Sequence, residues 1–116
     1  REGRFLGGII APGVETGAGA LFAHATRLAA IDMRAPEHAI GTSSDEAMRS
    51  GIVLGEAARV DGLVKRMFDE LGYVAPVVAT GGLASLIAPH SATITDVLPE
   101  LTLEGLRLLA QADHAD

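Results

Sequence analysis

Apolar and polar positions along the chain fall into blocks of different period. Residues 4–11 (Arg-Phe-Leu-Gly-Gly-Ile-Ile-Ala) form an apolar, partly β-branched run closed by Pro12-Gly13, which predicts a strand with a close backbone approach at Gly7-Gly8. Glu2-Gly3 reads as half of a hairpin turn whose partner strand would precede Arg1. Thr16 to Ala30 is Ala-rich, with Leu21, Ala25 and Leu28 on one stripe, and predicts a helix weakened in its first turn by Gly17 and Gly19. A short strand is expected at 31–34, then a loop through Pro36 and Gly41.

The strongest signal spans 43–72. Val60, Leu63, Val64, Met67, Phe68 and Leu71 recur at i, i+3, i+4, i+7, i+8 and i+11, with Glu56, Arg59, Lys65, Arg66 and Asp69 largely off that face. Gly72 suits the left-handed position that ends a helix. Gly51 and Gly55 predict either a break or a tightly packed crossing. Pro76-Val77-Val78-Ala79 reads as a buried strand leading into Thr80-Gly81-Gly82, followed by a short helix from Leu83 to Ala88 that ends at Pro89. A strand at 92–95 and a last helix from Thr102 to about Asp113, with Leu103, Leu106 and Leu109 inward, complete the order. Four strands alternating with four helices predict an α/β layered sheet.

Composition agrees with a folded chain. Of 116 residues 48% are hydrophobic and 21% charged, and the mean hydropathy is +0.31, too apolar for a disordered tail. Aromatics are few (Phe5, Phe22, Phe68 and Tyr73), so the core must be aliphatic. The length is that of one domain. Nine basic against fifteen acidic residues give −6, and Lys65 is the single lysine. Without clustered positive charge, nucleic acid and anionic membrane surfaces are not expected partners. No apolar run approaches the roughly 20 residues of a membrane span, and no leader peptide is predicted. With no cysteine there is no disulfide framework or thiolate chemistry, and a reducing cytoplasm fits.

Two segments carry candidate chemistry. Thr80-Gly81-Gly82 joins a strand to a helix, where glycines either admit a phosphate to main-chain N–H groups or simply form a tight turn. Ser43-Ser44-Asp45-Glu46 is an S-x-x-E capping box: Ser43 as N-cap, Glu46 reaching back to the Ser43 N–H, and Ser44 left with a free hydroxyl for a ligand. Gly17-x-Gly19 lacks the third glycine of a dinucleotide fingerprint, there is no P-loop, and Ser85 lacks a nucleophile-elbow setting. A nicotinamide oxidoreductase is therefore disfavoured. His24, His38, His90 and His114 are too separated for a local metal motif, so no metal ligand and no complete active site are read from this chain.

Taken in order, Gly7-Gly8-Ile9-Ile10-Ala11-Pro12-Gly13, Ile40-Gly41-Thr42-Ser43-Ser44, Glu46-Ala47-Met48-Arg49-Ser50-Gly51-Ile52, Val60-Asp61-Gly62-Leu63, Val78-Ala79-Thr80-Gly81-Gly82-Leu83-Ala84 and Leu101-Thr102-Leu103-Glu104-Gly105-Leu106-Arg107 resemble the C-terminal half of the type III pantothenate kinases. These belong to the superfamily of acetate and sugar kinases, Hsp70 and actin. The similarity covers essentially all of 3–110, and the order and spacing of the segments make it specific.

The resemblance implies a ribonuclease H-like, actin-like ATPase domain over residues 1–116, second of two in a parent enzyme. That enzyme would transfer the ATP γ-phosphate to pantothenate, the first step of coenzyme A synthesis. It implies Mg²⁺ and a monovalent cation (K⁺ or NH₄⁺), a cytoplasmic homodimer, and catalytic residues in the N-terminal half: the D-x-G-N-[TS] loop and the G-x-D-R aspartate are not in this sequence. By position, Thr80, Gly81 and Gly82 match the Gly-Gly turn beside the nucleotide. Ser44 matches the threonine of G-x-N-T that contacts pantothenate, and Ser43 stands at its asparagine. Ser keeps the capping oxygen of Asn, and Ser44 keeps the hydroxyl of Thr without its methyl. The expectation is a chain inactive alone, its start at Arg1 and its high hydropathy marking a cut edge and an uncovered interface. The alternative is a non-catalytic dimerisation or partner-binding module derived from such a half.

Overall fold

The periodic segment becomes the longest feature of the structure, a computed structural model that describes residues 3–24 and 32–113. The chain divides into two compact units, Arg1–Ile31 and Asp32–Asp116.

In the second unit one helical run extends from Ser44 to Leu71 in three parts: α2 (Ser44–Arg49), a π-helical stretch (Ser50–Leu54) and α3 (Gly55–Leu71). The wider π turn begins one residue before Gly51 and ends one before Gly55. A Cβ at either glycine would meet nothing within 4 Å, so these glycines mark a break in the α-helical ladder and not a close crossing. Gly72 ends the run at φ 75°, its N–H donating to the Phe68 carbonyl at 2.8 Å. The expected apolar face holds: Val60, Leu63, Val64, Phe68 and Leu71 are half-buried, while Met67 is exposed. Val53 is completely buried and Ala57 nearly so.

Beyond Tyr73 the chain makes β1 (Val78–Ala79), α4 (Ala84–Ile87), a 3₁₀ turn (Ala88–His90) and β2 (Asp96–Val97). β1 and β2 pair in parallel, Val78 with Asp96 and Ala79 with Val97. A parallel pair needs a crossover between its strands, and α4 supplies it. α4 buries Ala84 and Ile87 and lies against the π stretch, so the core of this unit sits where α4 meets the long helix. α5 (Leu101–Asp113) follows.

The layered α/β reading stands in reduced form, as helices with a small two-stranded parallel sheet. Of the four expected strands, 76–79 shortens to β1, and 92–95 moves to β2 at 96–97. Val78 is exposed, because a two-stranded sheet offers its edge little cover, so the strand is not the buried one expected. Residues 32–34 form no strand; the Arg34 N–H turns back onto the Asp32 carbonyl at 3.0 Å. Residue 31 lies outside the described residues. Leu103, Leu106 and Leu109, expected inward, are 62%, 58% and 66% exposed. Pro89, expected to end its helix, sits inside the 3₁₀ turn, where its missing N–H costs nothing.

In the first unit α1 runs from Val14 to His24. It starts two residues before the expected Thr16, directly after Pro12-Gly13, with the Gly13 carbonyl accepting from the Gly17 N–H at 3.0 Å and Glu15 favourably placed in its first turn. The expected continuation over 25–30 lies outside the described residues. Residues 4–11 join no ladder among the described residues, and Phe5 and Ile10 are exposed. Gly7 adopts φ 131° with open space around it, so its conformation, not a close approach, calls for glycine.

Candidate functional site

The start of α2 is built on Gly41. A Cβ there would fall on the backbone nitrogen of Ala47 and 2.6 Å from the Ala47 Cα, so only a bare backbone can pass beneath the first helical turn. Ser43 is extended (φ −128°, ψ 164°) and its hydroxyl accepts from the Glu46 N–H at 3.3 Å, as expected of the N-cap. Glu46 widens the expected box. Its carboxylate takes both the Thr42 N–H and the Thr42 hydroxyl at 2.8 Å, with a weaker contribution from the Ser43 N–H. Those bonds, the amide first, lower the Glu46 carboxyl below its ordinary range. The cap is thus one residue wider than the pattern predicts, because Thr42 offers two donors on one residue.

Ser44 is the first helical residue, exposed, and neither its hydroxyl nor that of Thr80 bonds to another described residue. The loop leading to it is tied from behind: Arg49 donates to the Asp32 carbonyl at 3.2 Å, and the Ser50 hydroxyl to the Ala39 carbonyl at 2.6 Å. Ser44 is therefore presented on a braced helix start with its hydrogen-bonding capacity intact.

Thr80-Gly81-Gly82 leaves the end of β1. Gly81 has φ 101°, in the region that favours glycine, and its carbonyl accepts from the Ala84 N–H at 3.2 Å. Gly82 has neither a positive φ nor any atom within 4 Å of where a Cβ would sit. Among the described residues neither conformation nor packing calls for glycine at 82.

A third cluster was not singled out by the sequence. Asp61 on α3 accepts four hydrogen bonds from three consecutive residues: Ser91 Oγ at 2.6 Å, Thr93 N at 3.0 Å and Thr93 Oγ1 at 2.7 Å on Oδ1, and Ala92 N at 2.8 Å on Oδ2. Partial burial, the largest single influence, pushes this carboxyl up, but the four bonds outweigh it and bring it down to about 2. Ser91 Oγ also accepts from the Ile94 N–H at 3.1 Å. No local pattern links residues thirty apart, so only a Ser-x-Thr after a proline-containing turn could have hinted at it.

The fold relates the two expected segments through the long helix: Ser44 begins it, and α4, which follows Gly82, lies against its π stretch. Ser50, where that stretch begins, is about 9 Å along the axis from Ser44 at 1.5 Å per residue. Among the described residues no group of three His, Asp or Glu side chains could hold a metal ion, and no helix is long and apolar enough to cross a membrane.

These features define a small α/β unit with a glycine turn after a parallel strand and an uncommitted hydroxyl at a braced helix start. Comparison with known proteins specifies it further. The profile of the family described as type III pantothenate kinase matches residues 1–66. The type III pantothenate kinase of Anaeromyxobacter sp. (strain Fw109-5) is 48% identical over 113 residues, 97% of this chain and 44% of the relative. That of Roseiflexus castenholzii is 51% identical over 112 residues, with the same coverage, and that of Frankia alni 47% over 108 residues. The chain belongs to the type III pantothenate kinase family, and it spans about 44% of the length of these curated relatives.

Proposed function

We propose that this chain is the C-terminal, ribonuclease H-like domain of an enzyme that phosphorylates pantothenate to 4′-phosphopantothenate with ATP, opening coenzyme A synthesis. The observation that carries this reading is the 48–51% identity to proteins of that name along 97% of the chain. In it Gly81 and Gly82, with Thr80, form part of the nucleotide wall. The Gly82 space admits a phosphate or sugar to the main chain, where N–H donors stabilise anionic oxygens. Ser44, capped in place by Ser43, donates to pantothenate. Phosphoryl transfer depends on positioning and electrostatic clamping, and this chain contributes the positioning. Pantothenate would enter against the first turn of α2 and ATP against the turn after β1, both anchored on one rigid helix.

The family resemblance implies Mg²⁺ and K⁺ or NH₄⁺. The same resemblance puts the catalytic carboxylate in the N-terminal half, outside this sequence. A cytoplasmic homodimer completes the reading. In a coupled assay of ADP release, the longer protein containing this chain should turn over pantothenate, and Ser44→Ala should raise its KM about tenfold, the loss of one hydrogen bond to substrate. The 116-residue chain alone should show no turnover. Activity of the chain alone, or an unaltered KM in Ser44→Ala, would overturn these assignments.

A further inference from the structure

The segment from β1 to β2 leaves the long helix and returns to it. On one side α4 lies against the π stretch around the fully buried Val53. On the other, residues 91–93 are clasped by Asp61, eight residues further along the same helix. Thr80-Gly81-Gly82 comes just before the first of these attachments, between β1 and α4, and hydrogen bonds joined by short stretches of chain lead to it from Asp61. Ser91, fixed by the carboxylate, accepts the Ile94 N–H. Thr95 then brackets Val77: its N–H donates to the Val77 carbonyl at 2.8 Å, and its hydroxyl both donates to that carbonyl at 3.0 Å and accepts from the Val77 N–H at 3.1 Å. The Leu98 N–H reaches the Ala79 carbonyl at 2.9 Å, the last strand residue before Thr80.

We propose that Asp61 is a positioning residue for the Thr80–Gly82 turn: by clasping residues 91–93 to α3 it sets β2, and through the ladder β1, so that the glycine turn is held in place relative to the long helix that begins at Ser44. The nucleotide part of this inference rests on the function proposed above; the positioning part does not. The chemistry suits the task. Both carboxylate oxygens face only donors, and a charged acceptor makes stronger hydrogen bonds than a neutral one. Ser91 and Thr93 supply hydroxyls on a turn whose own backbone amides point the same way. A neutral amide in place of the carboxylate would turn an NH₂ group toward at least one N–H or O–H donor, so Asp61→Asn replaces an attraction by an opposed pair of donors without a change of shape.

The test uses the longer protein that contains this chain and its Asp61→Asn variant, with Asp69→Asn, an exposed carboxylate on the same helix, as control. Amide hydrogen exchange is read residue by residue without ligand, and binding is read from NMR shifts with MgATP and, separately, with pantothenate. In Asp61→Asn the hydrogen-bonded amides of Thr95, Leu98 and Ala84 should exchange about tenfold faster, while Glu46 and Ala47 at the α2 cap stay unchanged. MgATP should bind about tenfold more weakly at 80–83, with pantothenate affinity at Ser44 unmoved. Unchanged exchange at Leu98 and Ala84, or acceleration spread equally over the long helix, would overturn the proposal. Should Asp61→Asn fail to fold by circular dichroism, Thr93→Val and Ser91→Ala are judged by the same criteria, and Thr93→Ser should restore the Thr93→Val defect. If the unaltered protein shows no MgATP shift at 80–83, the nucleotide assignment falls, while the exchange measurement still decides whether Asp61 positions the turn.

Discussion

Two helices of this chain carry similar sequence signals and meet opposite fates. α3 has its apolar stripe half-buried, is continued upstream by a stretch containing the fully buried Val53, and is clasped through Asp61. α5 repeats leucine at comparable spacing, yet Leu103, Leu106 and Leu109 are mostly exposed. What holds α5 is local: Arg107 donates to Glu104 at 2.7 Å and to Gln111 at 2.8 Å, pairs spaced i,i+3 and i,i+4. Periodicity establishes that a helix has an apolar side. What covers that side is a separate matter, decided by the rest of the fold.

The contrast predicts a graded set of outcomes. Gly41→Ala should be the most damaging change, about 3 kcal/mol by urea unfolding, because backbone and not a movable side chain occupies the space a Cβ needs. A loss under about 1 kcal/mol would show that the loop under the long helix can relax. Val53→Ala should cost about 2 kcal/mol, from lost burial plus the cavity left at the helix–α4 contact.

Acid should then loosen the long helix selectively. Asp61 is held at about 2 against an ordinary 3.8. A depressed carboxyl stabilises the fold above its unfolded-state value, and that contribution is lost as pH falls from about 4 to about 2. Glu46, lowered by Thr42, acts in the same direction. Urea midpoints should therefore fall in that window, and Asp61→Asn should flatten the slope; an equal slope in the variant would remove Asp61 as its source. The smallest effect belongs to α5: Leu106→Ala should change stability by less than about 0.5 kcal/mol, whereas Leu63→Ala on α3 should cost about 1 kcal/mol. Equal losses at the two sites would erase the distinction between the helices.

Much of the candidate site was legible because its signals are short-range. Ser43 caps the helix as its residue type and position require, Gly72 terminates it, and the Gly51/Gly55 pair marks the π stretch. Gly81 takes the left-handed conformation that a strand-to-helix turn favours. The errors share one cause. The extra strands expected at 4–11 and 31–34 needed partners, and apolar character does not say where a partner is; Glu46 bonds chiefly to Thr42 because that residue presents an amide and a hydroxyl together. Asp61 read as an ordinary residue of the helix flank because its donors lie thirty positions away.

By itself, then, the sequence determined the helices, their caps, the glycine turn and the family, since these depend on neighbours within a few residues or on the order of segments. The tertiary structure decided the parallel pairing of β1 with β2, the burial of Val53 under α4, the exposure of α5 and the clasp of Asp61 on residues 91–93. The pairing, the burial and the clasp join groups distant along the chain, and their free energy exists only once loop closure has brought them together; α5 is exposed because no such contact covers its leucines among the described residues.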